Sequence, residues 1–252
     1  MYIYTCQQTF EAMMTCIYDA WASRKGHKNI RLELEPIEQP ELFCEYVHID
    51  ADPEKVKKVV RSVQTKISWK AFGQIYRAAM SCEPDRLDAI YRFLILGFTC
   101  GGQVTRMLTE TSVMRILELS RKVSNEAHYF REFARFSSVD GKIYISHIEP
   151  KCNILELTAR HFADRMPSEY WIMIDDARNL AAVHPKDEGL YLTTLSAKEM
   201  KKLQEVEKQK DLYTELWKEF FQSIGIEARK NPTCQRNMMP LWYRKHMTEF
   251  QP

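Results

Sequence analysis

The chain has 252 residues, 45% of them hydrophobic and 28% charged, with a formal net charge of +2. This is the balance of an ordinary globular protein, and only 8 Gly and 10 Pro argue against long disordered or low-complexity stretches. No apolar run, Phe93–Phe98 included, approaches the roughly 18 to 20 residues needed to span a bilayer, and no basic region precedes an apolar core at Met1–Thr5.

The expected setting is therefore the cytoplasm, without membrane contact. Seven cysteines (Cys6, Cys16, Cys44, Cys82, Cys100, Cys152, Cys234) are scattered and form no C-x-x-C pair. They read as reduced thiols, with no metal site and no cofactor expected from them.

Along the chain, Tyr2–Tyr4 reads as a short strand. Phe10 to Trp21 follows as a helix, with Phe10, Met13, Met14, Ile17 and Trp21 at helical spacing. Ile30–Leu34 and Phe43–Ile49 alternate as strands. Asp52-Pro53 supplies an N-cap and a proline at the first helical position, opening a helix to about Ile67. Trp69–Met80 and a segment from Pro84 read as further helices. Gly101-Gly102 breaks the pattern, and a long helix is predicted over Val104–Phe136.

The character then changes. Asp140-Gly141, between alternating segments Phe133–Val139 and Lys142–Ile148, is a hairpin signal. Asn153–Arg165 reads as a helix, and Tyr170–Ile174, Leu180–His184 and Leu190–Leu195 read as strands. An antiparallel sheet with one packed helix is the simplest arrangement. Ser196 and Glu199 form a capping box for a helix running to about Ser223, burying Leu203, Val206, Leu212, Leu216, Trp217 and Phe220. Cys234–Met247 is a final short helix. The class is α+β: a mostly helical region 1–132, a sheet with its helix at 133–195, and C-terminal helices at 196–252. No linker-like composition separates them, so one compact unit over 1–252 is expected.

Charge is unevenly spread. Glu33–Glu54 holds eight acidic residues and no Lys or Arg, whereas Lys55–Arg77 holds seven basic residues and no acid. Ala228–His246 is again basic without acid. Such blocks create local fields that near-neutrality hides, although a solvated helix face gives the same pattern. In the tail, Arg229, Lys230, Arg236, Arg244 and Lys245 suit phosphates, Trp242 and Tyr243 suit stacking on unpaired bases, and Gln235 offers a donor and acceptor. The alternative is a terminal helix docked on the core through its apolar residues.

Other motifs carry less. The glycines at 97, 101 and 102 do not form a phosphate-binding loop, and neither G-x-x-x-x-G-K-[ST] nor G-x-S-x-G occurs. His128 lies mid-helix, where a structural role is expected. His147, Glu149, His161 and Asp175 have the chemistry of an acid–base site if the fold gathers them, with Glu149, His161 and Asp175 as its catalytic candidates. Salt bridges at a sheet edge are the competing account.

The tail, Arg229 to His246, joins several other stretches in one resemblance. These are Arg135-Phe136, Ile143–Pro150, His161–Arg165, Trp171–Arg178, Phe72–Ala78, Tyr2-x-Tyr4 and Phe10–Ile17. Together they resemble a bacterial family described as probable DNA metabolism or putative DNA-repair proteins, over essentially the whole chain. Relatives often carry an Asp/Gly/Ser turn after the first strand, where this chain has Thr5-Cys6-Gln7-Gln8. Members are typically encoded beside a radical SAM protein, and a similar domain is joined in some proteins to a uracil-DNA-glycosylase-like domain. The resemblance implies DNA as a ligand and a radical SAM protein as a partner; Arg135, Arg165 and Arg178 join the tail residues as candidate nucleic-acid contacts. Radical chemistry would belong to the neighbour, because this chain lacks the three-cysteine cluster it requires. Three readings stay open: a DNA-binding accessory protein, a DNA-processing enzyme, and a protein-interaction scaffold.

Overall fold

In the computed structural model, which describes residues 1–207 and 212–251, the chain groups into two compact units, Met1–Ser124 and Asn125–Pro252. The class is α+β. Among the described residues, no helix is long and apolar enough to cross a membrane.

The first unit is built on a three-stranded parallel sheet. Its central strand β1 (Tyr2–Cys6) lies between β2 (Ile30–Leu34) and β3 (Glu45–His48). Being central and parallel, β1 is buried along nearly its whole length. Four helices pack with this sheet: α1 (Phe10–Ala22), α2 (Pro53–Lys66), α3 (Trp69–Ala79) and α4 (Arg86–Cys100). Their starts follow local chemistry. Thr9 caps α1 by accepting from the Ala12 amide, Asp52 caps α2 by accepting from Glu54 and Lys55, and Ser68 caps α3. Buried Met13, Met14 and Ile17 of α1 meet Val63 of α2, Ile75 of α3 and Leu94 of α4 in one core.

Gly101, at φ +60°, ends α4. A Cβ on Gly102 would stand 3.1 Å from the Ile67 carbonyl oxygen, so this pair of glycines lets the chain turn tightly against the end of α2. The turn extends the break beyond the glycines. Residues 101–106 form a 3-10 helix, and α5 begins only at Thr111 and runs to Phe133, not from Val104 to Phe136 as its periodicity predicts. The boundary between the two units falls within α5.

The second unit carries a five-stranded sheet ordered β4 (Ser137–Val139), β5 (Ile143–Ile148), β6 (Tyr170–Asp175), β7 (Leu180–His184) and β8 (Tyr191–Thr194). Asp140 and Gly141 both take positive φ, 51° and 65°, in the three-residue turn 140–142 that joins β4 to β5 as a hairpin. The expected all-antiparallel sheet needs one correction: β5 and β6 pair in parallel, while the other pairings are antiparallel. The physical reason is the connection. Residues 149–169 carry α6 (Leu155–Arg165) across the sheet, and such a crossover returns the chain in the same direction. Alternation along β6 sends Ile172 and Ile174 toward Val139, Ile145 and Ala181, while Trp171 and Met173 turn to the other face.

The Ser196–Glu199 capping box forms, with the Ser196 amide donating to Glu199 at 2.8 Å, and opens α7 (Ala197–Glu207). Helix α8 spans Leu212–Ser223; the predicted continuation through residues 208–211, and the side chains of Val206 and Leu212, lie outside the described residues. Leu203 packs on the sheet as expected. Leu216, Trp217 and Phe220 do not: they remain 51%, 39% and 52% exposed. Helical spacing creates an apolar face without guaranteeing a neighbour, and it is Phe221 that packs, 5.5 Å from the Phe250 ring. The final helix is divided too. It becomes α9 (Pro232–Met238) and a 3-10 turn over Leu241–His246, because Pro240 supplies no amide to continue a helical ladder.

Candidate functional site

The last turns of α5 and the body of α6 form a cleft of about 550 Å³ in the second unit. His128 and Arg131 lie on one side of α5, with Arg135 just past its end, and His161 and Arg165 lie one turn apart on α6. The cleft itself is lined by His128, Arg131, Glu132, His161, Phe162 and Arg165. Arg131 donates to the Leu157 carbonyl at 3.0 Å, which pins its guanidinium to α6. Glu132 is engaged by His128 at 3.1 Å. Arg165 is exposed and has no ion-pair partner among the described residues.

His161 registers the resulting field. Burial, followed by the positive charges of Arg131 and Arg165, holds its imidazole below the usual histidine range against the weaker pull of Asp164. The His161 ring thus shares a cleft with two guanidiniums, an arrangement that favours arriving anions. Arginine forks match phosphate oxygens, so phosphate is the natural anion.

A second polar group forms at the far end of β5. His147 and Glu149 leave the strand on the same side, and the 3-10 turn brings Lys245 and His246 to them. His147 Nδ1 lies 2.8 Å from Asp176 Oδ1, and the two imidazoles stack with centroids 6.1 Å apart. His246 Nε2 is 3.8 Å from both Glu149 and Asp176. Glu149 also pairs with Lys245. Burial pushes the His246 imidazole down despite Asp176 and Glu149, with His147 and Lys245 acting in the same sense as burial. Among the described residues, no group of three His, Cys, Asp or Glu side chains is placed to hold a metal ion.

The three candidate catalytic residues thus occupy three settings. Glu149 belongs to this histidine group and His161 to the α5–α6 cleft. Asp175 is fully buried and brackets Arg178 at 2.9 Å while accepting from the Ala177 amide at 3.1 Å. Burial raises its carboxyl above the usual range, against Arg178. Among the described residues, no hydrogen bond or ion pair joins any two of Glu149, His161 and Asp175.

The expected nucleic-acid residues divide similarly. Arg229, Gln235 and Arg236 are exposed, and Trp242 is 37% exposed with Lys151 Nζ 5.3 Å from its ring. Lys230 pairs with Glu227, and Lys245 with Glu149. Arg244 donates to the Met239 carbonyl and lies 4.7 Å from the Phe250 ring. Arg178 also donates to the Pro150 and Lys151 carbonyls, and Arg135 is bound by Glu249 at 2.7 Å. The stacking role expected of Tyr243 needs correction: its ring is 7% exposed and packs 5.1–5.4 Å from Tyr129, Phe130 and Phe133. Tyr243 docks the tail on α5, and Trp242 is the ring left at the surface.

Sequence reasoning missed Arg131, Asp176 and His246 as site residues. The signal for Arg131 was its place one turn from His128 and Arg135. Asp176 and His246 carried no comparable spacing cue. Comparison with curated proteins finds no match. A family model described as a domain of unknown function, DUF4130, matches residues 84–249 and so takes in both the cleft and the histidine group. That match covers well over half of the sequence, and the chain belongs to the DUF4130 family.

Proposed function

We propose that this chain binds DNA and serves as an accessory protein to a DNA-repair or modification enzyme. The observation that carries the reading is the α5–α6 cleft, where Arg131 and Arg165 flank an imidazole whose protonation they oppose. Exposed Arg229, Arg236 and Trp242 extend the chemistry suited to a strand. The resemblance to probable DNA metabolism proteins supports the same ligand and points to a radical SAM protein as partner. An accessory protein also needs a docking surface, and α8 presents exposed Tyr213, Leu216 and Phe220, with exposed Ile224 just beyond its end, for one.

The test is binding to single- and double-stranded DNA across a salt series. The Arg131→Glu/Arg165→Glu variant should bind about tenfold more weakly at low salt. Its salt dependence should flatten by nearly two, given a slope of about 0.9 per lost phosphate contact. Variant and wild-type curves that superimpose would remove the cleft from the interface. An absence of wild-type binding even at low salt would leave a scaffold that does not touch DNA.

The His147–Asp176 pair favours a second reading, a base-processing or nuclease enzyme. Asp176 orients the His147 ring as a general base, with Glu149, Lys245 and His246 beside it. On that reading His147→Ala should lower turnover of a DNA substrate by about a hundredfold while the fold persists. Undiminished turnover would dismiss it.

A further inference from the structure

The first unit carries an unassigned groove of about 470 Å³, a volume suited to a small ligand. Ile17 of α1 and Val59 of α2 contribute its apolar floor, and Tyr18, Trp21 and Phe98 supply aromatic surface. Trp21 is held edge-on to Phe98 at 5.3 Å and to the buried Tyr91 at 6.1 Å, so its orientation is fixed while part of the ring stays accessible.

One rim of the groove is polar by helical periodicity. Lys58, Ser62 and Lys66 follow each other at intervals of four along α2. The charges on this helix are not all equivalent. Lys55 is spent on Asp19, which it meets at 2.8 Å, and Lys57 on Glu54 at 2.7 Å. Lys58 and Lys66 are exposed and have no ion-pair partner among the described residues. Lys58 stands 5.8 Å from the Tyr18 ring, above the groove's aromatic side.

An occupant must therefore bring apolar, flat surface for the floor and negative charge for the rim. We propose that this groove binds a nucleotide unit, its base against the Trp21 and Phe98 side and its phosphate held by Lys58 and Lys66. The aromatic partners favour a flat ring over an acyl chain, since edges and faces of rings reward a second ring more than a flexible tail. The same unit exists as a free nucleotide or as an unpaired residue of a strand. The inference stands apart from the α5–α6 cleft, because it uses other residues in the other unit.

Calorimetric titration with dAMP, deoxyadenosine and a short dT oligomer tests it. Wild type should bind dAMP, with deoxyadenosine at least about tenfold weaker because the rim then holds no phosphate. Lys58→Gln/Lys66→Gln should lose about tenfold in dAMP affinity, and both positions are exposed enough to leave the fold intact. Ser62→Trp should block the groove sterically and abolish binding. Stronger binding of the dT oligomer than of dAMP identifies the strand as the source, and the reverse identifies a free nucleotide. The Arg131→Glu/Arg165→Glu variant should keep full dAMP affinity, so failure of the DNA reading and failure of this one are told apart. The proposal is overturned if wild type binds neither dAMP nor the oligomer, if the lysine variant binds like wild type, or if a fatty acid occupies the groove in their place.

Discussion

Trp171→Ala should destabilise the second unit by roughly 3–5 kcal/mol, the range for removing a large aromatic side chain from a packed core. Trp171 is fully buried on β6, directly opposite His184 of β7 in the strand register. The two rings stack almost parallel, 2° apart with centroids at 5.0 Å, and Phe136 closes the other side edge-on at 6.0 Å. His184 is itself tied to the Glu169 carbonyl at 3.0 Å, so it cannot readily collapse into the space an alanine leaves. The indole N–H contributes little, because Nε1 is buried with no hydrogen-bond partner among the described residues. Trp171→Phe should therefore cost only about 1 kcal/mol, the ring stack being retained and only a modest cavity left. Urea denaturation of the three proteins reads both values. Equal damage from phenylalanine and alanine would mean that the N–H, and not the packed ring, holds this core together.

What the sequence made legible was local. The Asp52-Pro53 helix start, the Asp140-Gly141 hairpin and the Ser196–Glu199 box each depend on residues within a few positions of one another, and each formed. Strand pairing depends on distant partners: the helix read between β5 and β6 signals a crossover that the all-antiparallel reading passed over, but which residues end up opposite one another is set by the register alone. The candidate site failed for the same reason at a finer scale. In the β5–β6 register, Asp175 lies opposite Ile148 and shares its burial, whereas Asp176, one residue on, reaches His147. Adjacent aspartates thus differ in role by strand parity alone, and the sequence does not give the register that sets it. The tail repeats the lesson: Trp242 and Tyr243 are neighbours, yet α5 buries one and leaves the other at the surface. The α5–α6 cleft was half legible. His161 and Arg165 were visible as a helical pair, but Arg131 joins them only because α5 and α6 pack side by side.

That packing rests on a residue without any sequence signal, and its removal is the second large effect expected. Glu126 lies in α5 among ordinary helix formers, yet it is only 6% exposed. Its two carboxylate oxygens accept from the Lys151 amide at 2.7 Å and the Cys152 amide at 2.9 Å, just ahead of α6. Burial, and next the Glu126 charge, push the Tyr243 hydroxyl upward, so the carboxylate's influence also reaches the docked tail. Glu126→Ala removes both acceptors and strands two backbone donors. Hydrogen bonds to a charged group contribute about 1.5–3 kcal/mol each, and the pair shares one group, so a loss of about 3 kcal/mol is expected. Glu126→Gln keeps one carbonyl acceptor but turns an amide N–H toward a backbone donor, and should cost roughly half as much. Amide exchange should quicken at Lys151 and Cys152 in both variants. Loosening the start of α6 also displaces His161 and Arg165 relative to Arg131, so DNA affinity should fall although none of the three has changed. A change within about 0.5 kcal/mol, the level of an ordinary surface substitution, together with unaltered exchange, would show that other contacts align the two helices. Lost stability with undiminished DNA binding would separate the carboxylate's structural role from the cleft.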